Sequence, residues 1–157
     1  MLNTERYLRI QKIKNNGIST YNMQFKFDPV ALKNLKDIVE KTDAYIVLSS
    51  TWRINKEVED KSQLWNEFIN NMKVEGLEKR VIGTTPVLMD NEKIVFQRCN
   101  EIKQWLTENT DKNIEKFVII DDEWEMGEYT NTNFARCWSY SGLNNEVKEK
   151  VLDILAV

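Results

Sequence analysis

From residue 28 onward the chain alternates short apolar runs with helical apolar stripes. Residues 44–49 and 116–121 are continuous apolar segments that stop abruptly at polar residues, a pattern that predicts strands buried on both faces of a parallel sheet. A weaker strand is predicted over 80–83, ending at Thr84-Thr85-Pro86, and a fourth over 134–140. Between them, Asp28 followed by Pro29 marks a capped helix start, with Val30, Leu32, Leu35, Ile38 and Val39 as its apolar stripe. Leu64, Phe68 and Met72 mark a second helix, and Ile102, Trp105 and Leu106 a third. Asn144 caps a fourth that carries Val147, Val151, Leu152 and Leu155. Helices alternating with strands predict an α/β fold with a mainly parallel sheet and right-handed crossovers.

Residues 1–27 follow a different pattern. Tyr21, Met23, Phe25 and Phe27 alternate with Asn22, Gln24 and Lys26, which predicts a half-buried edge or antiparallel strand. Residues 7–13 fit either a helix or a strand, with helix favoured. Only five Gly and two Pro punctuate the 157 residues, and neither a repeat nor a linker-like tract divides them, so a single domain is expected over 1–157, with 1–27 as an atypical N-terminal segment.

Composition narrows the chemistry. With 22 Lys plus Arg against 25 Asp plus Glu, the net charge of -3 gives no support to a phosphate-backbone grip driven by overall charge. The chain has no histidine, which excludes Ser-His-Asp and Cys-His triads and His-containing zinc sites within it. Cys99 and Cys137 form no CxxC pair and fit buried thiols in a reducing compartment. The apolar runs fall well short of the roughly 18 to 20 residues needed to span a bilayer. A soluble, cytoplasmic protein without a membrane partner is therefore expected.

Ligands of open parallel sheets bind beyond the carboxyl ends of the strands. The first apolar run ends in Ser49-Ser50-Thr51-Trp52-Arg53, the second in Gly83-Thr84-Thr85 and the third in Asp121-Asp122-Glu123. Carboxylate oxygens suit Mg²⁺, and Ser, Thr and Arg donate to phosphate oxygens, so these tips could hold a hard cation and a phosphate together. Each has a plainer alternative. The acidic pair fits a turn with a helix cap, Ser49 to Thr51 a cap, Arg53 a surface ion pair, Trp52 a packing residue and Asp28 a helix cap. Arg98 is different: it lies on the inward stripe of the third helix near its start, where a cation meets the positive end of the helix dipole at a cost of roughly 0.3 to 1 kcal/mol. A bound phosphate or the Asp121-Asp122 pair would compensate it; a helix beginning earlier, near Asp90, would weaken the conflict.

Taken in order, Tyr45-Ile-Val-Leu-Ser-Ser-Thr-Trp-Arg53, Gly83-Thr-Thr-Pro86, Arg98-x-x-Glu101-Ile102-x-x-Trp105-Leu106, Val118-Ile-Ile-Asp-Asp122 and Gly142-Leu143 resemble the haloacid dehalogenase-like (HAD) phosphatase superfamily. Within it they are most similar to the small branch associated with Swiss-Army-knife RNA-repair-like proteins, from about Phe27 to the C-terminus. The resemblance implies a three-layer Rossmann-like fold and Mg²⁺-dependent phosphoryl transfer. It implies Ser49 as the phosphate-binding hydroxyl and Arg98 as the basic residue that steadies the phosphate, both catalytic. Asp121 and Asp122 become the metal ligands, with Ser50, Arg53 and Thr84 as substrate-binding neighbours.

The departure from the family pattern is at the front. Members open with an apolar strand ending in Asp-x-Asp, whose first Asp is the nucleophile, whereas this chain starts Met1-Leu2-Asn3-Thr4 and contains no such motif. Three explanations stay open: a start that truncates the motif by roughly ten residues, judged from strand length; a genuine short form whose vacant strand position is filled by residues 7–13, 21–27 or a partner chain; or a degenerate member that binds without turnover. The expectation is a phosphatase scaffold for a phosphorylated small molecule or a nucleic-acid end, inactive as written, with a homodimer through the vacant strand position as one assembly. The rival function, from another class, is a non-catalytic interaction or regulatory protein with a protein partner, for which Trp52, Trp124 and Trp138 are candidate contacts.

Overall fold

The computed structural model describes residues 1–53, 63–90, 93–94 and 97–156. Thr4 opens helix α1 (Glu5–Lys14) by accepting the Tyr7 amide on its hydroxyl, and no side chain of this helix is buried. Helix α2 (Pro29–Thr42) starts where the Asp-Pro pair predicts, with Asp28 accepting the Val30 amide. It buries Ala31, Leu32, Leu35, Ile38 and Val39. Val30, expected in that stripe, is 45% exposed: as the second helical residue it points away from the core, and Ala31 takes its place.

Strand β1 (Ile46–Leu48) pairs in parallel with β2 (Val81–Thr84), and the amide of Thr85 continues the ladder to the Leu48 carbonyl. Helix α3 (Gln63–Val74) lies between them in sequence. A short antiparallel pair, β3 (Met89–Asp90) and β4 (Lys93–Ile94), precedes helix α4 (Arg98–Glu108). Strand β5 (Ile119–Asp121) then pairs in parallel with β6 (Phe134–Arg136), with Asp121 opposite Arg136. Helix α5 (Asn145–Leu155) closes the chain, capped by the Asn144 side chain on the Val147 amide.

One apolar cluster joins Leu48, Phe68, Met72, Ala135 and Cys137 with the inner faces of α2 and α5, and Lys148 reaches across to Asp37 at 3.0 Å. A second, smaller cluster of Ile102, Ile119, Met126 and Phe134 covers the opposite face of β5 and β6, on the α4 side.

Two expectations need correction. The strands do not form one sheet: the described residues form two separate parallel pairs and one antiparallel pair, so β1 and β5 each keep one edge without a strand partner among them. Neither N-terminal segment supplies that partner. Residues 7–13 lie inside α1, and the alternating 21–27 stretch folds as a 3-10 helix (Tyr21–Phe25). The physical reason is Asn71 of α3. Its side chain accepts the Phe27 amide at 3.0 Å and donates to the Phe25 carbonyl at 2.7 Å, satisfying backbone groups that an edge strand would have left for a neighbour. Phe25 and Phe27 meanwhile stack edge-on against Trp52, so their alternation serves a helix-packed core.

Residues 1–6 are tied down by backbone bonds. Leu2 is buried, its carbonyl accepts the Asp28 amide at 2.7 Å, and the Met1 carbonyl accepts the Leu143 amide at 3.0 Å. Asp28 is the anchor: besides capping α2 it accepts Thr4 Oγ1 at 2.7 Å and the Arg6 guanidinium at 2.6 Å, which offsets the burial of its charge.

Candidate functional site

The carboxyl ends of β1, β2 and β5 carry Ser49, Thr84 and Asp121, and α4 contributes Arg98. Arg98 is the first residue of α4, which follows Gln97, so the helix does not begin earlier and the dipole conflict is real. It is met by carboxylates. Arg98 Nε lies 3.1 Å from Asp121 Oδ2, and Nη1 lies 3.8 Å from Glu101 Oε1. Neither contact has hydrogen-bond alignment, so Nε and Nη1 of Arg98 and Oε1 of Glu101 are buried without a hydrogen-bond partner. Such groups carry a desolvation cost that a correctly placed ligand would recover.

Glu101 is the hub. It is fully buried on the inward stripe of α4, between Arg98 on one oxygen and Arg53 on the other. Arg53 is itself buried, which replaces the expectation of a surface ion pair. Its Nε donates to the Thr85 carbonyl at 3.0 Å, Nη1 to the Ser49 and Ser50 carbonyls at 2.9 and 2.6 Å, and Nη2 to the Pro86 carbonyl and to Glu101. With those donors engaged by the protein, Arg53 cross-braces the loops after β1 and β2. Contacts therefore run from Ser49 through Arg53, Glu101 and Arg98 to Asp121.

The remaining candidates lie around this relay. Ser49 and Thr84 are half-buried at their strand ends. The Ser50 hydroxyl accepts the Trp52 amide at 3.4 Å, and the hydroxyl of Thr85 is buried with no hydrogen-bond partner. Asp121 accepts the Glu123 amide at 3.1 Å, and the exposed Asp122 accepts the Ser139 hydroxyl at 3.2 Å. Burial pushes Asp121 above the usual carboxylate range, opposed by Arg98 and reinforced by its hydrogen bond with Asp122. Burial also pushes Asp122 upward, but hydrogen bonds from Asp121 and Ser139 outweigh it and leave Asp122 below its ordinary value.

As donors the pair fits Mg²⁺, which takes one or two carboxylates and fills its other positions with water and phosphate oxygens. No cluster of three or more metal-ligating side chains occurs among the described residues.

Of the three tryptophans considered as contacts, Trp52 is packed against Phe25 and Phe27, whereas Trp124 and Trp138 are exposed. Two features escaped the sequence: Glu101 as a buried bridge between two arginines, and Arg136 beside the exposed indoles. An acid one position before Ile102, on an otherwise apolar face, is the signal for the first. Cys137 is buried, and burial pushes its thiol up to about 11, which removes it from chemistry near neutrality.

No helix among the described residues is long and apolar enough to cross a membrane. No curated protein and no solved structure matches the chain. One family model does, the HAD domain in Swiss Army Knife RNA repair proteins, over residues 2–147. That match spans nearly the whole sequence, and the chain belongs to the HAD domain family of Swiss Army Knife RNA repair proteins.

Proposed function

We propose that these residues form the phosphate- and Mg²⁺-binding part of a HAD-type phosphohydrolase site whose ligand is the phosphorylated end of a nucleic acid. The observation that carries this function is the Arg98 guanidinium at the start of α4, whose Nε and Nη1 are buried without a hydrogen bond beside Asp121. A phosphate placed there would accept from this guanidinium and meet the positive end of the helix. Ser49 and Thr84, at the ends of β1 and β2, would orient the other oxygens. Asp121 and Asp122 would hold Mg²⁺, which when bound supplies charge neutralisation to the phosphoryl group. Glu101 and Arg53 keep Arg98 and the strand-end loops in place. The apolar clusters on both faces of β5 and β6 support a three-layer Rossmann-like arrangement for this scaffold. The printed sequence holds no Asp-x-Asp, so the function derived from its own residues is capture and orientation of the phosphate ester. The family's association with RNA repair supports a nucleic-acid end over a small metabolite.

Binding of an oligoribonucleotide with a terminal phosphate, against the same oligomer ending in a hydroxyl, tests this with and without Mg²⁺. Charge-assisted hydrogen bonds are worth about 1.5 to 3 kcal/mol, so the phosphorylated end should bind roughly 10- to 150-fold more tightly in Mg²⁺. Arg98→Gln and Asp121→Asn should remove most of that preference. Equal affinity of the two oligomers at every Mg²⁺ concentration would refute the proposal.

A further inference from the structure

Beside the acidic doublet, the described surface carries an arrangement that the phosphate site does not use. Trp124 and Trp138 are 77% and 56% exposed, although exposed indoles are costly to leave in water. Their ring centroids are 6.0 Å apart and the planes stand at 88°, so the two rings make a corner. Arg136 fills it: its guanidinium carbon lies 3.8 Å from the Trp124 centroid and 3.9 Å from that of Trp138. Arg136 is in turn fixed by donating from Nε to the Glu123 carbonyl at 3.1 Å. One face of each indole is therefore held by a cation, and the exposure that remains leaves the opposite side to solvent. Tyr140, two residues beyond Trp138, is 46% exposed with Arg9 of α1 5.7 Å over its ring.

The corner lies on the rim of the candidate site. Arg136 pairs in register with Asp121, the Cys137 amide preceding Trp138 donates to the Asp121 carbonyl at 2.9 Å, and Ser139 bonds Asp122. The Trp138 carbonyl accepts the Gly142 amide at 2.7 Å, which braces the turn.

We propose that Trp124, Trp138 and Arg136 form a stacking platform for the unpaired terminal bases of a single-stranded nucleic acid whose end lies at Arg98 and Asp121. This deepens the phosphate-end function and rests on it. Aromatic faces interleaved with guanidinium groups are the composition that binds single strands, because every base has a π-face and each cation can meet a backbone phosphate. Arg136 and Arg9 are the cations beside exposed rings that can meet a backbone phosphate. Stacking, more than charge, must then carry the affinity. Two phosphate contacts correspond to a shallow salt slope, about -1.4 in log K against log salt.

The test uses fluorescence anisotropy of a labelled hydroxyl-ended hexa-adenylate without Mg²⁺, beside an abasic hexamer of equal charge. The bases should tighten binding at least tenfold over the abasic strand. Trp124→Ala and Trp138→Ala, both at exposed positions, should each weaken binding of the hexa-adenylate by about five- to 150-fold, the span of one stacked base. Circular dichroism should show both variants folded as the parent. The proposal is overturned if the abasic strand binds equally well, if both variants bind within twofold of the parent, or if no oligomer binds. Because the probe has no end phosphate, failure of the phosphate site and failure of the platform are read separately.

Discussion

Replacing Glu101 by Gln is the sharpest perturbation of the site's support. The carboxylate is fully buried and sits between two guanidinium groups, one of which, Arg53, is also buried. Gln keeps the shape but removes the charge, and it has a single carbonyl oxygen. Its amide NH₂ must then face one of the two arginines, donor against donor. Breaking a buried ion pair by removing one partner costs about 3 to 5 kcal/mol, because the survivor stays charged and out of water. Arg98 keeps Asp121 as a second partner at 3.1 Å, so the loss falls chiefly on Arg53. For a chain of this length each kcal/mol lowers the melting temperature by roughly 2 to 4 °C, giving an expected drop of about 6 to 20 °C. Urea denaturation followed by far-UV circular dichroism gives the free energy, and a thermal scan gives the shift. The double variant Arg53→Met with Glu101→Leu removes both buried charges and should lose less than the sum of the two single changes. A cost below about 1 kcal/mol for Glu101→Gln, or strict additivity in the double variant, would show that the network is solvated and that the reasoning about its burial is wrong.

Gly142 has φ +55°, and a Cβ there would lie 2.1 Å from the Met1 carbonyl oxygen and 2.6 Å from Thr4 Cγ2. Gly142→Ala should therefore lose at least about 2 kcal/mol by urea denaturation, combining left-handed strain with displacement of residues 1–4; a loss under about 0.5 kcal/mol refutes the close approach. In metal-free protein, the raised Asp121 favours the folded state while it is protonated, below its unfolded value of about 3.9, and that contribution is lost as pH rises through its folded value. Asp121→Asn should thus gain in melting temperature relative to the parent as pH is raised from about 3.5 to 7, and a difference that stays flat or falls contradicts the shift. Because burial holds Cys137 near 11, Ellman's reagent at pH 8 should label at most one thiol per native chain and two in guanidinium; two labelled at once in native protein would place Cys137 at the surface.

The helices were legible because their signals are local. A capping residue, a proline in the first turn and an apolar stripe lie within a few residues of one another, so α2 and α5 begin where Asp28 and Asn144 place them. The strand cores at 46–48 and 119–121 were legible from continuous apolar runs, though each observed strand is shorter than its run. The alternating Tyr21 to Phe27 stretch misled because strand periodicity reports only which side chains are buried. What satisfies its backbone is Asn71, forty-odd positions away, and no local pattern announces that. Arg53 was misjudged for the same reason: its acceptors are carbonyls on two separate loops, and carbonyls leave no mark in a sequence.

The placement of charge explains how a net-acidic chain can still present a candidate phosphate site. Of the cations near the rim, Arg53 is consumed by structure, and Arg98 is held half-compensated by Asp121 and Glu101. Arg136 is held between two indoles, with its Nε engaged. Each guanidinium is fixed by the fold before any ligand arrives, so little side-chain entropy remains to be lost on binding. The carboxylates that fix Arg98 also limit its attraction for phosphate: Asp121 competes for the same donors until a dication takes up its charge. On the proposed function, metal and phosphate binding would be coupled through one contact of 3.1 Å between Arg98 and Asp121. A phosphate that displaces Asp121 from Arg98 frees a carboxylate for the metal, and a metal on Asp121 frees Arg98 for the phosphate, so each should tighten the other by the same factor.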